Sequence, residues 1–342
     1  MQYTRLGNTG LVVSRLAFGA MTFGSGQGAF ASVYKVGQEE ANRLVAGALD
    51  AGVTFFNTAD AYADGQSEEM LGRALGSHRK DVVIATKVGM RTGEALLHAG
   101  LSRQHIIAQA QASLKRLQTD YIDLYLVHCI DPYTPLEETL EALDYLVRQG
   151  MVRYIGFSNW PAWMAAKAVG LQQANHWAQF RAAEVYYSLV GRDVEHEIVP
   201  FTRDAGIGVL VWSPLAGGFL SGKYSREQPQ QQEGRLSGFD IIPFNREHGY
   251  DVVDLLKSIA SKHGATPAQV ALAWLLSRRH VTSLLVGASK VQQLEENLVA
   301  AQVQLSADEL AELDKLTAPQ QPYPNWFIAN VKDPAREEAL GS

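Results

Sequence analysis

The sequence predicts a single (β/α)8, or TIM, barrel spanning residues 1–342, with an N-terminal β-hairpin and extra C-terminal helices. Two observations carry this. Short apolar runs alternate with amphipathic segments, strand then helix, eight times along the chain. The alternative, an open doubly wound sheet, would usually place a Gly-rich phosphate turn after its first strand. Here Gly19-Ala20-Met21-Thr22 opens no G-x-G-x-x-G.

The elements follow in order. Residues 2–15 alternate and turn at Gly7-Asn8-Thr9-Gly10, which predicts a hairpin. Leu16–Ala20 is the first barrel strand, and the loop Met21–Val36 follows it. Glu39–Ala51 carries Ala41, Leu44, Val45, Ala48 and Leu49 at helical spacing, and Gly52 ends it. Val53–Phe56 runs into Asn57-Thr58-Ala59-Asp60-Ala61-Tyr62, and Ser67-Glu68-Glu69 opens the covering helix with acids in its first turn. The pattern repeats in strands Val82–Lys87, Ile122–His128, Val152–Ser158, a sixth ending at Glu184, Gly208–Trp212 and Val281–Val286. The intervening helices are expected over 102–117, 136–148, 161–174, 193–204, 251–263, 267–279 and 290–301. Ala216–Tyr250 reads as a long loop. Ser306-Ala307-Asp308-Glu309 is a capping box for a helix ending near Leu316, and the Pro-rich tail 318–342 is expected to be irregular.

Composition narrows the function. A net charge of −6 argues against a nucleic-acid partner. The single Cys129 excludes an intrachain disulfide framework and fits a reducing compartment. Met1-Gln2-Tyr3-Thr4-Arg5 is not an apolar signal segment, and no apolar run reaches the ~18 residues of a spanning helix. A cytoplasmic protein with no membrane partner is the expectation. No ligand spacing points to a metal.

Three barrel strands lead to Tyr62 (with Asn57), Lys87 and His128, at equivalent places in successive units. Their carboxyl ends are neighbours on one rim of a barrel. A phenol, with a reference pKa near ~10, is a poor acid at neutral pH. An adjacent ammonium stabilises the phenolate, and a histidine can orient a carbonyl oxygen. Each residue alone fits simple packing as well; the shared position is what favours chemistry. At the seventh strand Trp212 is either a stacking platform or a rim core residue. After the eighth, Gly287-Ala288-Ser289-Lys290 reads as a plain capped helix, with Ser289 and Gln292 as a capping box, or as an anion site.

With these residues in hand, the chain resembles the aldo-keto reductase superfamily, in the bacterial branch related to potassium-channel β subunits. The matching motifs are Phe56–Tyr62, Ser67–Gly72, Thr86-Lys87, Asp123–His128, Gly156–Asn159, Trp212–Leu215 and Gly287–Ser289. The resemblance implies a barrel that binds NADPH/NADP+ and moves hydride between nicotinamide and a carbonyl carbon of an aldehyde, ketone or sugar. It implies Tyr62 as general acid/base, Lys87 as its pKa-lowering neighbour and His128 as the orienter of the carbonyl. Ser158 and Asn159 would hold the carboxamide and Trp212 would stack on the ring. Ser213, Leu215 and Gly217 would line the pyrophosphate path, with Lys223 nearby. Gly287, Ser289, Lys290, Gln293, Glu296 and Asn297 would take the adenosine end, and Lys290 favours NADP over NAD.

Two positions depart from the family pattern. Asn57 stands where the usual aspartate partner of the lysine is expected, and Glu184 replaces a common glutamine on the cofactor side. Loss of the aspartate charge should let Lys87 titrate lower. Glu184 restores that charge if its side chain reaches Lys87; Asp60 is nearer in sequence. The candidate substrate pocket contains Met21, Phe23, Trp160, Trp326 and Phe327, whose aromatic character suggests a bulky carbonyl compound. The rival reading is an NADPH-binding regulatory subunit with weak turnover. A homo-oligomer is compatible with the sequence.

Overall fold

β1 (Tyr3–Arg5) and β2 (Val12–Ser14) pair antiparallel, and the chain then enters the barrel. The computed structural model describes residues 1–26, 31–226, 236, 238–331 and 333–341. The expected loops 21–36 and 216–250 therefore lie partly outside the described residues, as do positions 332 and 342 of the tail.

The barrel strands are β3 (Leu16–Gly19), β6 (Phe55–Asn57), β7 (Val83–Val88), β8 (Ile122–Val127), β9 (Val152–Ser158), β10 (Phe180–Tyr186), β11 (Gly208–Trp212) and β12 (Val281–Val286). They close in the order β10-β11-β12-β3-β6-β7-β8-β9, all parallel, with β9 returning to β10. A two-stranded ribbon, β4 (Gly24–Ser25) with β5 (Lys35–Val36), lies in the loop after β3. The covering helices are α1 (Gln38–Asp50), α2 (Gln66–Leu75), α3 (Arg103–Leu117), α4 (Leu136–Arg148), α5 (Ala162–Ala174), α6 (Ile198–Asp204), α7 (Arg246–His263), α8 (Pro267–Leu276), α9 (Val291–Leu298) and α10 (Ala307–Leu316).

The core has two shells, because successive strand side chains point to opposite faces. Ala17, Phe55, Val83, Ala85, Leu124, Leu126, Ala182, Leu210 and Leu285 fill the barrel interior. The alternate residues, among them Leu16, Phe18, Phe56, Ile84, Tyr125, Val127, Phe157 and Val211, pack outward under the helices. Leu6 and Val13 of the hairpin join the inner shell and close its amino-terminal end. Gly7 (φ 51°) makes this possible: a Cβ there would lie 2.5 Å from the Gly206 carbonyl oxygen.

Several expectations are corrected. The helix expected over 193–204 is a 3-10 turn, Asp193–Glu195, and then α6, because Pro200 has no N–H to donate and fits only a helix's first turn. The helix expected over 290–301 ends as α9 at Leu298 and tightens into a 3-10 turn, Val299–Gln302. The Ser289–Gln292 capping box does not form. Lys290 is the N-cap, without a side-chain cap, and the Ser289 N–H is held instead by Gln293 Oε1 at 3.1 Å. The Ser306–Glu309 capping box does form. The tail is not wholly irregular: it contains α11 (Asn325–Asn330) and α12 (Pro334–Leu340), the latter capped by Asp333 with Pro334 at its start.

Candidate active site

The two-residue period that fills the barrel interior also chooses the side chains of its carboxyl rim. Two residues beyond the inward Phe55, Ala85, Leu126, Gly156, Ala182 and Leu210 come Asn57, Lys87, His128, Ser158, Glu184 and Trp212. The same step beyond Ala17 and Leu285 gives Gly19 and Gly287. β12 and β3 are adjacent, so the ring of side chains has a gap on that side. A Cβ added at Gly287 would meet only the Gly19 carbonyl oxygen, at 3.4 Å.

Lys87 is the centre of the ring and has no exposed surface. Its ammonium donates to Asn57 Oδ1 at 2.7 Å, the Thr58 carbonyl at 2.9 Å and the Tyr62 hydroxyl at 3.1 Å. Glu184 Oε1 lies 3.3 Å away, and Glu184 Oε2 accepts from Asn57 Nδ2 at 2.7 Å. Burial alone would depress the ammonium. The Glu184 carboxylate and the Tyr62 hydroxyl outweigh it, and Lys87 is held above its ordinary value. The expectation that Asn57 would let Lys87 titrate lower is therefore corrected: the charge missing from β6 reaches Lys87 from β10. Asp60 does not supply it. Its carboxyl is buried with both oxygens unpartnered, and burial, then Glu68, pushes it well above the carboxylate range.

Tyr62 sits in a 3-10 turn, Tyr62–Gly65, in which Ala63 (φ 48°), Asp64 (φ 54°) and Gly65 (φ 87°) are all left-handed. Arg116 packs under Gly65, where a Cβ would stand 2.7 Å from Arg116 Cδ, and its guanidinium is fixed 2.6 Å from Glu68. The His128 ring meets the Tyr62 ring edge-on at 5.7 Å. Burial, then the Lys87 charge, holds His128 well below its ordinary value, so the ring is neutral at pH 7.

Asn159 ties three strand ends together from a left-handed backbone (φ 57°). Its Nδ2 donates to the His128 carbonyl at 3.1 Å and to Ser158 Oγ at 2.9 Å, and its Oδ1 accepts from Trp212 Nε1 at 3.0 Å. Ser158 Oγ donates to the Glu184 carbonyl at 2.9 Å. Tyr186, not singled out from the sequence, packs 5.2 Å from the Trp212 ring. Its signal was available: it follows inward Glu184 by two residues. After β11, Ser213, Ala216, Gly217 and Gly218 all have positive φ, and the Gly217 N–H donates to Ser213 Oγ at 2.9 Å, with Leu215 between. Lys223 is exposed there, and partial desolvation, then Lys35, lowers its ammonium. Lys290 precedes the uncapped first turn of α9. Gln293 holds Ser289, the Glu296 carbonyl accepts from Gln269 Nε2 at 2.7 Å, and Asn297 is buried.

The substrate candidates divide. Phe23 does not reach the rim: the Ala20–Thr22 turn folds it back, fully buried, 5.5 Å from Phe18. Trp160 is also buried, against Phe157 and Phe180, though it borders a cavity of about 210 Å³ with Asn159 and Tyr186. Met21 is half-buried, while Trp326 and Phe327 are half-exposed on α11. That helix is joined to the rim by Asn325 Nδ2 donating to the His196 carbonyl at 3.3 Å.

Fold and rim together define a (β/α)8 barrel in which a buried lysine and histidine meet a half-buried tyrosine. The chain belongs to the aldo/keto reductase family, whose model matches residues 15–318. Among similar proteins is a probable voltage-gated potassium channel subunit beta of Arabidopsis thaliana, 38% identical over 89% of this chain and 92% of that protein. A versiconal hemiacetal acetate reductase of Aspergillus parasiticus is 33% identical over 95% and 99%. An uncharacterized oxidoreductase of Bacillus subtilis is 36% identical over 92% and 96%.

Proposed function

We propose that this chain is an NADPH-dependent oxidoreductase interconverting an aldehyde, ketone or sugar carbonyl and the corresponding alcohol. One observation carries the reading: a fully buried ammonium, Lys87, donates to the Tyr62 hydroxyl at 3.1 Å. The phenolate left after proton donation is thereby stabilised before the reaction begins. Tyr62 gives its proton to the carbonyl oxygen, and neutral His128 offers that oxygen an N–H. The reverse direction uses the same groups.

The rim suits a nicotinamide dinucleotide. The gap at Gly19 and Gly287 and the Trp212–Tyr186 pair suit a flat ring. Ser158 and Asn159 would hold its amide, and the glycine loop after β11 with Lys223 would take the pyrophosphate. Lys290 ahead of α9 would take a 2′-phosphate. When bound, this cofactor supplies the hydride. Met21, Trp326 and Phe327 would border a bulky substrate. The described residues contain no helix long and apolar enough to cross a membrane, and the proposed setting is cytoplasmic, with no nucleic-acid or membrane partner.

A second reading, a cofactor-binding partner subunit, draws on the relatives named as channel β subunits. It predicts tight NADPH binding without turnover. The test is NADPH consumption over a panel of aldehydes, ketones and sugars, with NADP+ reduction by the matching alcohols. Turnover that Tyr62→Phe lowers by ~10²-fold or more supports the enzyme. Equal activity in Tyr62→Phe sinks the mechanism.

A further inference from the structure

The rim contains a carboxylate, Glu184, that the proposed proton transfer does not touch. It is 3% exposed, and both oxygens are turned to Lys87 and Asn57. The Asn57 amide has only one workable orientation between them. Its oxygen faces the ammonium and its nitrogen faces the carboxylate, each at 2.7 Å; flipped, it would set donor against donor and acceptor against acceptor. Lys87, Asn57 and Glu184 thus form one closed, net-neutral unit across β7, β6 and β10.

We propose that Glu184 is the positioning residue that keeps Lys87 charged, with the role of counter-ion relocated from β6 to β10 and Asn57 serving as a neutral bridge. The idea rests on the reductase reading for its effect on catalysis, but not for its effect on Lys87. The groups facing the ammonium are few: Tyr62 from the turn after β6, His128 from the end of β8, Asp60 at the base of the turn and Glu184 from β10. His128 is neutral, and among the described residues Glu184 is the carboxylate within ion-pair distance of the ammonium. It follows that the side chain of Glu184 is engaged inward and is not free to receive the amide of a nicotinamide ring.

The relocation predicts reciprocity. Glu184→Gln removes the carboxylate paired with Lys87 and should lower the pH at which the ammonium loses its proton. Asn57→Asp alone crowds a second carboxylate around one ammonium. Asn57→Asp combined with Glu184→Gln moves the charge back to β6 and should restore the parent behaviour.

The test follows Lys87 itself by NMR of 13Cε-labelled lysine, assigned by its loss in Lys87→Met. Alongside it, kcat is measured against pH for NADPH-dependent carbonyl reduction. In Glu184→Gln the Lys87 titration should move down by at least ~1 pH unit, kcat should drop by about tenfold at pH 8, and both should return in the double variant. If Glu184→Gln does not fold, a folded double variant with a parent-like Lys87 titration still supports the proposal. Failure of both to fold, or a Lys87 titration unmoved in Glu184→Gln, overturns it. Full activity in Tyr62→Phe overturns the reductase reading instead and leaves the Lys87 titration as an independent result.

Discussion

Lys87 Nζ lies 3.3 Å from Glu184 Oε1, and neither side chain is more than 3% exposed. Burying two charges is costly unless geometry and further hydrogen bonds complete their valences. Here Asn57, Thr58 and Tyr62 do so for the ammonium. The folded Lys87 value is raised above 10.5, so its contribution to stability is fully present below pH 10.5 and is lost as pH rises through the folded value. Lys87→Met, which strands Glu184, should cost about 3–5 kcal/mol at pH 7. Urea unfolding at pH 7 and pH 11 should show the gap between parent and variant narrowing at the higher pH.

Asp60 should be a liability. Its folded value lies above 3.8, so the native chain keeps a proton that the unfolded chain releases, and stability falls as pH climbs past 3.8. Asp60→Asn removes that linkage in a side chain of the same shape. It should stabilise the protein by about 1–3 kcal/mol at pH 7, with the gain shrinking toward pH 4. A variant no more stable than the parent at pH 7 would contradict the assigned burial cost.

His128 should act in the opposite range. Its folded value is well below 6.5, so on acidification the unfolded chain takes up a proton first, and stability drops below pH 6.5. His128→Gln cannot titrate and keeps an N–H donor. It should flatten the acid limb of the stability profile and lower kcat by roughly tenfold.

The turn after Tyr62 should resist a single methyl group. Gly65→Ala places a side chain at φ 87° and 2.7 Å from Arg116, which Glu68 holds in place. The expected cost is about 1–3 kcal/mol, with a fall in kcat as the phenol moves off Lys87. Unchanged stability and turnover together would show that the turn yields easily.

Lys290→Glu should separate the two dinucleotides. The Kd for NADPH should rise by about tenfold or more, while that for NADH changes little, as followed by cofactor fluorescence. Parallel changes in both would move the phosphate contact elsewhere.

Much of this was legible because local periodicity decides it. Apolar runs separated by helical spacing mark the barrel strands except the sixth, of which only an end at Glu184 is read, and the carboxyl ends point to Tyr62, Lys87 and His128. What escaped depends on groups far apart in the chain. The Asn57–Glu184 bond joins residues 127 apart, and the sequence could state the pairing only as a condition. Phe23 looked like a pocket residue because it follows a strand end, yet the turn before it returns it to the core. Ser289 had a capping-box pattern, but Gln293 competes for its N–H. The sixth strand runs two residues past the expected end at Glu184, and those residues bring Tyr186 to the rim.

The hairpin that plugs the amino end of the barrel has a further consequence. With Leu6 and Val13 seated in the inner shell, the vessel is stoppered at its base, and among the described residues its open end is the rim. Everything that reaches Lys87 must come and go through the same mouth.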